Sequence, residues 1–356
     1  MRRLTITPDI DGLAKQYRVK MLYRKPKNGV VSWACKNLRW LKERIERDEY
    51  HPHDATLRYG EYLNKIEREY ELLLTLHPKD FAEKADEFDE IIKEDELSSV
   101  IEIKVGKDSD KLDTTRKVAF YELIVWALRY DYVQGSVFPE FIRTLGIRTC
   151  VYCNAQYAIA THEGEAFYQL DHCYPKSKYP FLATSFFNLQ PCCGACNQRK
   201  SGEDMRRGDY DVSMWKECTD TIDSYFDFHI EDGSLAEYMT NHNRMDLDID
   251  VVKAIKGDED LDDLLKLFHK KFRTKEVYRE HREEAEEIIW KKYVYAPAYV
   301  DSLRVAFNSE FLDKASDFER LLLGTYTKAK DVYKRPLTKM IQDIAKQLKI
   351  DLVEEE

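Results

Sequence analysis

Apolar positions recur along most of this chain at helical rather than strand spacing. Trp33, Leu38, Trp40, Leu41 and Ile45 mark one helical stripe over residues 33–48. Tyr62, Leu63, Ile66, Tyr70, Leu73 and Leu74 mark another over residues 57–76, which His77-Pro78 ends. Residues 83–93 predict an exposed, charged helix, followed by a loop at 107–110. Residues 120–132 form the most apolar helical stretch of the N-terminal part and predict a helix that packs a central module onto that part. From Tyr210 onward the pattern is helical, with a breaker at 230–233. It has amphipathic stripes at 261–268 and 285–290 and later helices over about 299–331 and 336–349. Strand signals are few. Residues 4–8 read as a short strand or extended arm, and 17–23 alternate like a strand ending at Lys25-Pro26, with turn chemistry at 27–29. Residues 165–170 predict a strand paired with 152–160 across the turn 161–164. His51 and His53, flanking Pro52 with no cysteine or carboxylate cluster nearby, read as a solvated turn.

Composition sets bounds on this pattern. A chain of 356 residues with 43% hydrophobic and 12% aromatic content can bury sizeable cores and is long for one domain. The N-terminal residues show no apolar signal segment, and no apolar run is long enough to span a bilayer, so a soluble cytoplasmic protein is expected, with no membrane partner. The net charge of −10 argues against a general basic coat, although residues 141–210 carry a local net of +2 and the remainder −12. Six of the eight cysteines fall within 47 residues, a pattern of a reduced, metal-loaded protein rather than a disulfide scaffold.

Two C-x-x-C pairs, Cys150/Cys153 and Cys193/Cys196, are separated by 39 residues. Two such knuckles facing each other complete a closed tetrahedral site, so structural Zn²⁺ is expected on these four residues. Cys35 and Cys218 read as ordinary free cysteines. The intervening segment carries chemistry of another kind. Asp171 and His172 are adjacent at a strand end, where side chains alternate, so one can bind a cation while the other faces a water. Asn197 lies one residue past Cys196, on the first turns of a short helix, and can return toward Asp171. A carboxylate and an amide oxygen suit Mg²⁺ or Mn²⁺, with His172 as the base that deprotonates the attacking water. Lys176, Lys178, Arg199, Lys200, Arg206 and Arg207 are the nearest cations for flanking phosphates; Lys176 and Lys200 adjoin motif residues most closely.

These residues resemble the HNH nucleases of the ββα-metal (His-Me finger) superfamily. The family pattern runs C-x-x-C, then D-H, then N-L-x-P-x-C-x-x-C-N-x-x-K, and residues 150–200 match each part. The resemblance implies His172 as general base, Asp171 as metal ligand, Asn188 as brace of the loop carrying the histidine, and Asn197 in place of the commoner final histidine. It implies an α+β, predominantly α-helical chain in which a small zinc-pinned ββα-metal module, residues 141–210, lies between helical regions at 1–140 and 211–356. The expected activity is metal-dependent hydrolysis of DNA phosphodiester bonds. The alternative is a catalytically inactive zinc-knuckle subunit that binds nucleic acid or serves as a scaffold. The phrase at 171–180 is similar to HNH proteins encoded beside ATPases in Septu and retron-type phage defence, which implies an antiviral role with an ATPase partner.

Overall fold

The computed structural model describes residues 2–22, 33–46, 53–105, 114–295, 297–306 and 315–350. The chain is α+β and predominantly helical, with its strands gathered in small two-stranded sheets. Among the described residues no helix is long and apolar enough to cross a membrane. The expected helices appear at Trp33–Glu46, His53–Leu73, Glu259–Phe272, Arg282–Val294 and Thr338–Gln347. His53 thus opens a helix rather than closing a turn, while His51 and the loop at 107–110 lie outside the described residues.

Several expectations are corrected. Residues 17–23 were expected as a strand, but Pro8–Leu22 is a helix with Asp9 and Asp11 in its first turn and Ala14 and Tyr17 buried. The i, i+3 pair 14/17 faces the core, and that tertiary packing overrides the local alternation. The charged stretch 83–93 is not wholly exposed: Phe81–Asp89 buries Phe81, Ala85 and Phe88. Beyond Tyr210 the chain is less helical than its pattern suggests, because Phe226–Ile230 pairs antiparallel with Ile249–Lys253. The supposed breaker at 230–233 instead starts a helix, Asp232–Asn241, whose first turn is capped by the Glu231 side chain accepting from Ser234 N. A hairpin at Val100–Val105 and Thr114–Ala119 gave no sequence signal that was read as strand.

Both flanking regions pack onto the centre of the chain. The arm Leu4–Thr5 runs parallel to Trp215–Lys216. Tyr17, fully buried, donates its hydroxyl to Thr184 O at 2.7 Å, and its ring meets those of Phe138, Phe141 and Phe186. From the other side, Phe228 N donates to Asp343 Oδ2 at 2.9 Å and Gln347 reaches Ile230, joining the last helix to the Phe226–Ile230 strand. Helical residues of that region, Tyr278 and Lys339, hydrogen-bond in turn to Cys153 and Asn154 of the central segment.

His269 stands on Glu259–Phe272 against the rings of Phe226 and Phe268, and neither ring nitrogen has a partner among the described residues. Burial lowers its pKa from the usual 6.5 to about 4. The unfolded chain takes up this proton as pH falls below about 6.5 and the folded chain only below about 4, so stability present near neutrality is lost across that window. His269→Leu is expected to flatten the fall in unfolding free energy between pH 7 and pH 4.5, measured by urea titration at each pH; an unchanged slope refutes the assignment.

Candidate functional site

Cys150, Cys153, Cys193 and Cys196 converge, their sulfurs all within 4.8 Å of one another. A tetrahedral Zn²⁺ with bonds near 2.3 Å spaces its sulfurs roughly 3.8 Å apart, so this donor set could hold a metal such as zinc with no position left open. Burial drives the Cys150 thiol well above its ordinary range, while hydrogen bonds from Cys150, Cys153 and Cys196 hold that of Cys193 far below. A bound cation would resolve that opposition by taking all four as thiolates. The knuckles are joined by Val151 N donating to Pro191 O at 3.2 Å.

The first knuckle leans on the C-terminal region. Asn154, in the left-handed region at φ 49°, sends Nδ2 to Thr149 Oγ1 and Val332 O, and its Oδ1 accepts from Lys339 N. Tyr278 donates to Cys153 O at 2.6 Å. No motif carries these two residues, and apart from Thr149 their partners lie more than a hundred residues away, so only the folded chain identifies them.

Between the knuckles, Gln169–His172 pairs antiparallel with Leu189–Cys192, with His172 opposite Leu189, and the helix Gly194–Lys200 follows. This corrects the expected pairing of 165–170 with 152–160. Only Ala166–Phe167 meets Ile159–Ala160, and the strand bearing Asp171 and His172 has a different partner. Asn188 is fully buried just before the second strand. Its Oδ1 accepts from Tyr174 N at 2.7 Å, and its Nδ2 donates to Tyr174 O and Leu182 O, both at 3.1 Å. It therefore braces the loop that follows His172.

Asp171 and His172 border one cavity of about 640 Å³, together with Gln169, Lys176 and Asn197. His172 is 3% exposed, and its Nε2–H donates to Ala183 O at 3.0 Å, which leaves Nδ1 as the acceptor of the neutral ring. Burial, then the charge of Lys176, lowers its pKa to about 3, so the imidazole is neutral near pH 7. Asp171 Oδ2 accepts from Tyr152 at 2.6 Å and pairs with Lys200 Nζ at 3.1 Å, while Oδ1 has no partner among the described residues. Asn197 donates Nδ2 to Gln169 Oε1 at 3.4 Å, and its amide oxygen has no partner among the described residues. Asp171 and Asn197 thus border the same cavity.

Tyr130 was not foreseen. Its ring lies 4.8 Å from that of His172, its hydroxyl donates to Leu170 O, and Lys176 Nζ sits 4.4 Å over its face. Arg129, at φ 61°, and the wide-turned helical segment Val133–Val137 set the chain that delivers it. The apolar stretch 120–132 does meet the central segment, and Tyr130 is one of its contacts.

The expected phosphate-facing cations divide. Lys176 borders the cavity, half-buried. Lys178 pairs with Glu94 at 3.0 Å, and Arg199, exposed, reaches Phe272 O at 3.4 Å. Lys200 is a correction: it is fully buried, with Nζ on His172 O at 2.7 Å and on Asp171, so its ammonium cannot reach a backbone phosphate. It faces inward because Asp171, on the far side of the strand Leu189–Cys192 in sequence, needs a compensating charge under cover. Arg206 is held by Asp204 at 2.6 Å, and Arg207 by the Asp204 and Arg206 carbonyls.

Comparisons with protein-family models, curated proteins and solved structures return no match.

Cys153→Ser and Cys196→Ser are expected to lower metal content from one zinc per chain to near zero and to reduce thermal stability, read by elemental analysis and thermal unfolding of the same preparations. Full stability in zinc-free protein would falsify the structural role.

Proposed function

We propose that the chain is a metal-dependent HNH endonuclease that hydrolyses DNA phosphodiester bonds, with Asp171 and Asn197 as ligands of Mg²⁺ or Mn²⁺ and His172 as general base. The observation that carries this reading is the tautomer of His172. Because Nε2–H is committed to the Ala183 carbonyl, the only basic atom of the ring is Nδ1, on a neutral imidazole bordering the cavity. His172 Nδ1 takes a proton from water as the oxygen bonds to phosphorus, the bond to the leaving oxygen breaks, and that oxygen is protonated from solvent. Asp171 and Asn197 would hold a divalent cation, which would supply charge stabilisation to the phosphoryl and leaving oxygens. Tyr152 and Lys200 hold Asp171 by Oδ2 and so aim Oδ1; Tyr130 and Asn188 fix the position of His172. Lys176, with no ion pair or hydrogen bond among the described residues, is the cation available to a phosphate beside the site.

One observation favours the alternative of an inactive binding or scaffold subunit: Lys200 already compensates the charge of Asp171, which weakens that carboxylate as a cation ligand. Plasmid nicking with and without Mg²⁺ or Mn²⁺ separates the two readings. His172→Ala is expected to lower turnover by about 10²–10⁴-fold with zinc content unchanged. Asp171→Ala and Asn197→Ala are expected to move the activity to higher Mg²⁺ concentration. Undiminished turnover in His172→Ala refutes the mechanism.

The antiviral role and an ATPase partner, docked on 1–140 or 211–356, belong to the same proposal and rest on the resemblance at 171–180 together with charge. The body outside 141–210 carries −12 and repels DNA over roughly a Debye length, about 8 Å at physiological salt. The isolated chain is expected to cut weakly and to lose activity steeply along a salt series, with co-expressed partner restoring it. Efficient, salt-insensitive cutting by the chain alone shows that no partner is required.

A further inference from the structure

We infer that the cavity takes an unpaired nucleic-acid strand, with a base held against Tyr121, rather than intact duplex. The inference rests on the phosphodiesterase reading and deepens it by naming the substrate class.

Charge is the first argument. A duplex carries one phosphate charge per about 1.7 Å of axis, twice the density of one strand, and proteins that hold it do so with many free Lys and Arg side chains. Here six cations lie near the cavity in sequence, and the fold withdraws most of them. Lys200 is buried on Asp171, Lys178 is paired with Glu94, Arg206 with Asp204, and Arg207 is turned onto backbone carbonyls. Lys176 alone of the six lines the cavity. Beside it the exposed carboxylates of Glu122 and Asp131 oppose a dense polyanion; both act on the Lys176 charge. Phosphate neutralisation therefore cannot supply most of the affinity.

The lining is the second argument. Tyr121, Gln134, Gln169 and Gln198 border the cavity, an aromatic face and three neutral amides. Tyr121 is half-buried and stacks on no other ring among the described residues; its hydroxyl meets Glu122 at 3.3 Å. Amides and an aromatic face are what an exposed base engages, through its hydrogen-bonding edge and its π-face. In a duplex the face is stacked and the pairing edge is occupied, so neither is available. At about 640 Å³, the cavity is of the size that encloses a small organic ligand, and a strand segment can enter it where a closed double helix cannot.

The test uses the full chain, Mg²⁺ or Mn²⁺, and labelled oligonucleotides of one sequence as single strand, duplex and duplex with an unpaired bubble, each in DNA and RNA. Wild type is expected to process the single strand and the bubble at least about tenfold better than duplex in kcat/KM, the size of one stacking contact. Tyr121→Ala is expected to lose about tenfold, mainly through KM, while Tyr121→Phe retains activity. The DNA and RNA arms identify the sugar. Equal or better cutting of duplex, or an unchanged single-strand KM in folded Tyr121→Ala, overturns the inference. Absence of cleavage on every substrate, or cleavage undiminished in His172→Ala, overturns the phosphodiesterase reading instead. In that case fluorescence anisotropy with His172→Ala, whose cavity keeps Tyr121 and the amides, still decides: tighter binding of single strand supports the inference, and equal or tighter binding of duplex sinks it.

Discussion

Four sulfurs brought within 4.8 Å of one another, mostly out of water, constrain everything built around them. Thiols so placed repel as thiolates and pack poorly as neutral groups; a shared cation makes the arrangement favourable. Its consequence is topological. Fixing Cys150–Cys153 to Cys193–Cys196 closes a loop of chain whose ends are otherwise free, and the strands Gln169–His172 and Leu189–Cys192 then have little choice of register. The pairing of His172 with Leu189 follows, and with it the place of the imidazole relative to the helix Gly194–Lys200.

Inside that frame a second constraint operates. Asp171 is a carboxylate at 6% exposure, and burying it costs several kcal/mol unless it is paired and hydrogen-bonded. Lys200 supplies the charge and Tyr152 the hydrogen bond, and Lys200 also takes the His172 carbonyl. The ammonium therefore ties the final turn of one helix to the side chain of Asp171 and the backbone of His172. Removing Lys200 would leave a buried carboxylate unpaired, whereas removing an exposed pair such as Lys178–Glu94 would change little. Proximity in sequence gave both lysines the same expected role; burial separates them.

What the sequence made legible was local chemistry. The i, i+3 spacing of cysteines, the Asp-His pair and Asn188 each have partners within one short stretch: the four cysteines converge, Asp171 and His172 border one cavity, and Asn188 holds the loop after them. The cavity's far wall was not legible. Tyr130 lies forty positions before Leu170, in an apolar helix whose every aromatic could equally be core. The strand Leu189–Cys192 was hidden by Pro191, which argues against a central strand but is tolerated in this two-stranded pairing, where one side of each strand is an edge. The helix Pro8–Leu22 was hidden by residues that alternate locally while facing a core made by Phe138, Phe141 and Phe186, far along the chain.

Those distant contacts change what the flanking regions are. Tyr130 from the N-terminal side touches His172 itself, and Tyr278 and Lys339 from the C-terminal side hold the backbone and side chain of the first knuckle. A rotation of either layer must therefore move a residue of the site, not merely its surroundings. The left-handed Arg129 and the wide turn Val133–Val137 flank Tyr130 and place the least regular backbone of that layer next to the imidazole. A partner bound to the outer face of the helical layers would need no contact with the cavity to alter it, because the lever that positions His172 is already part of the layer it grips.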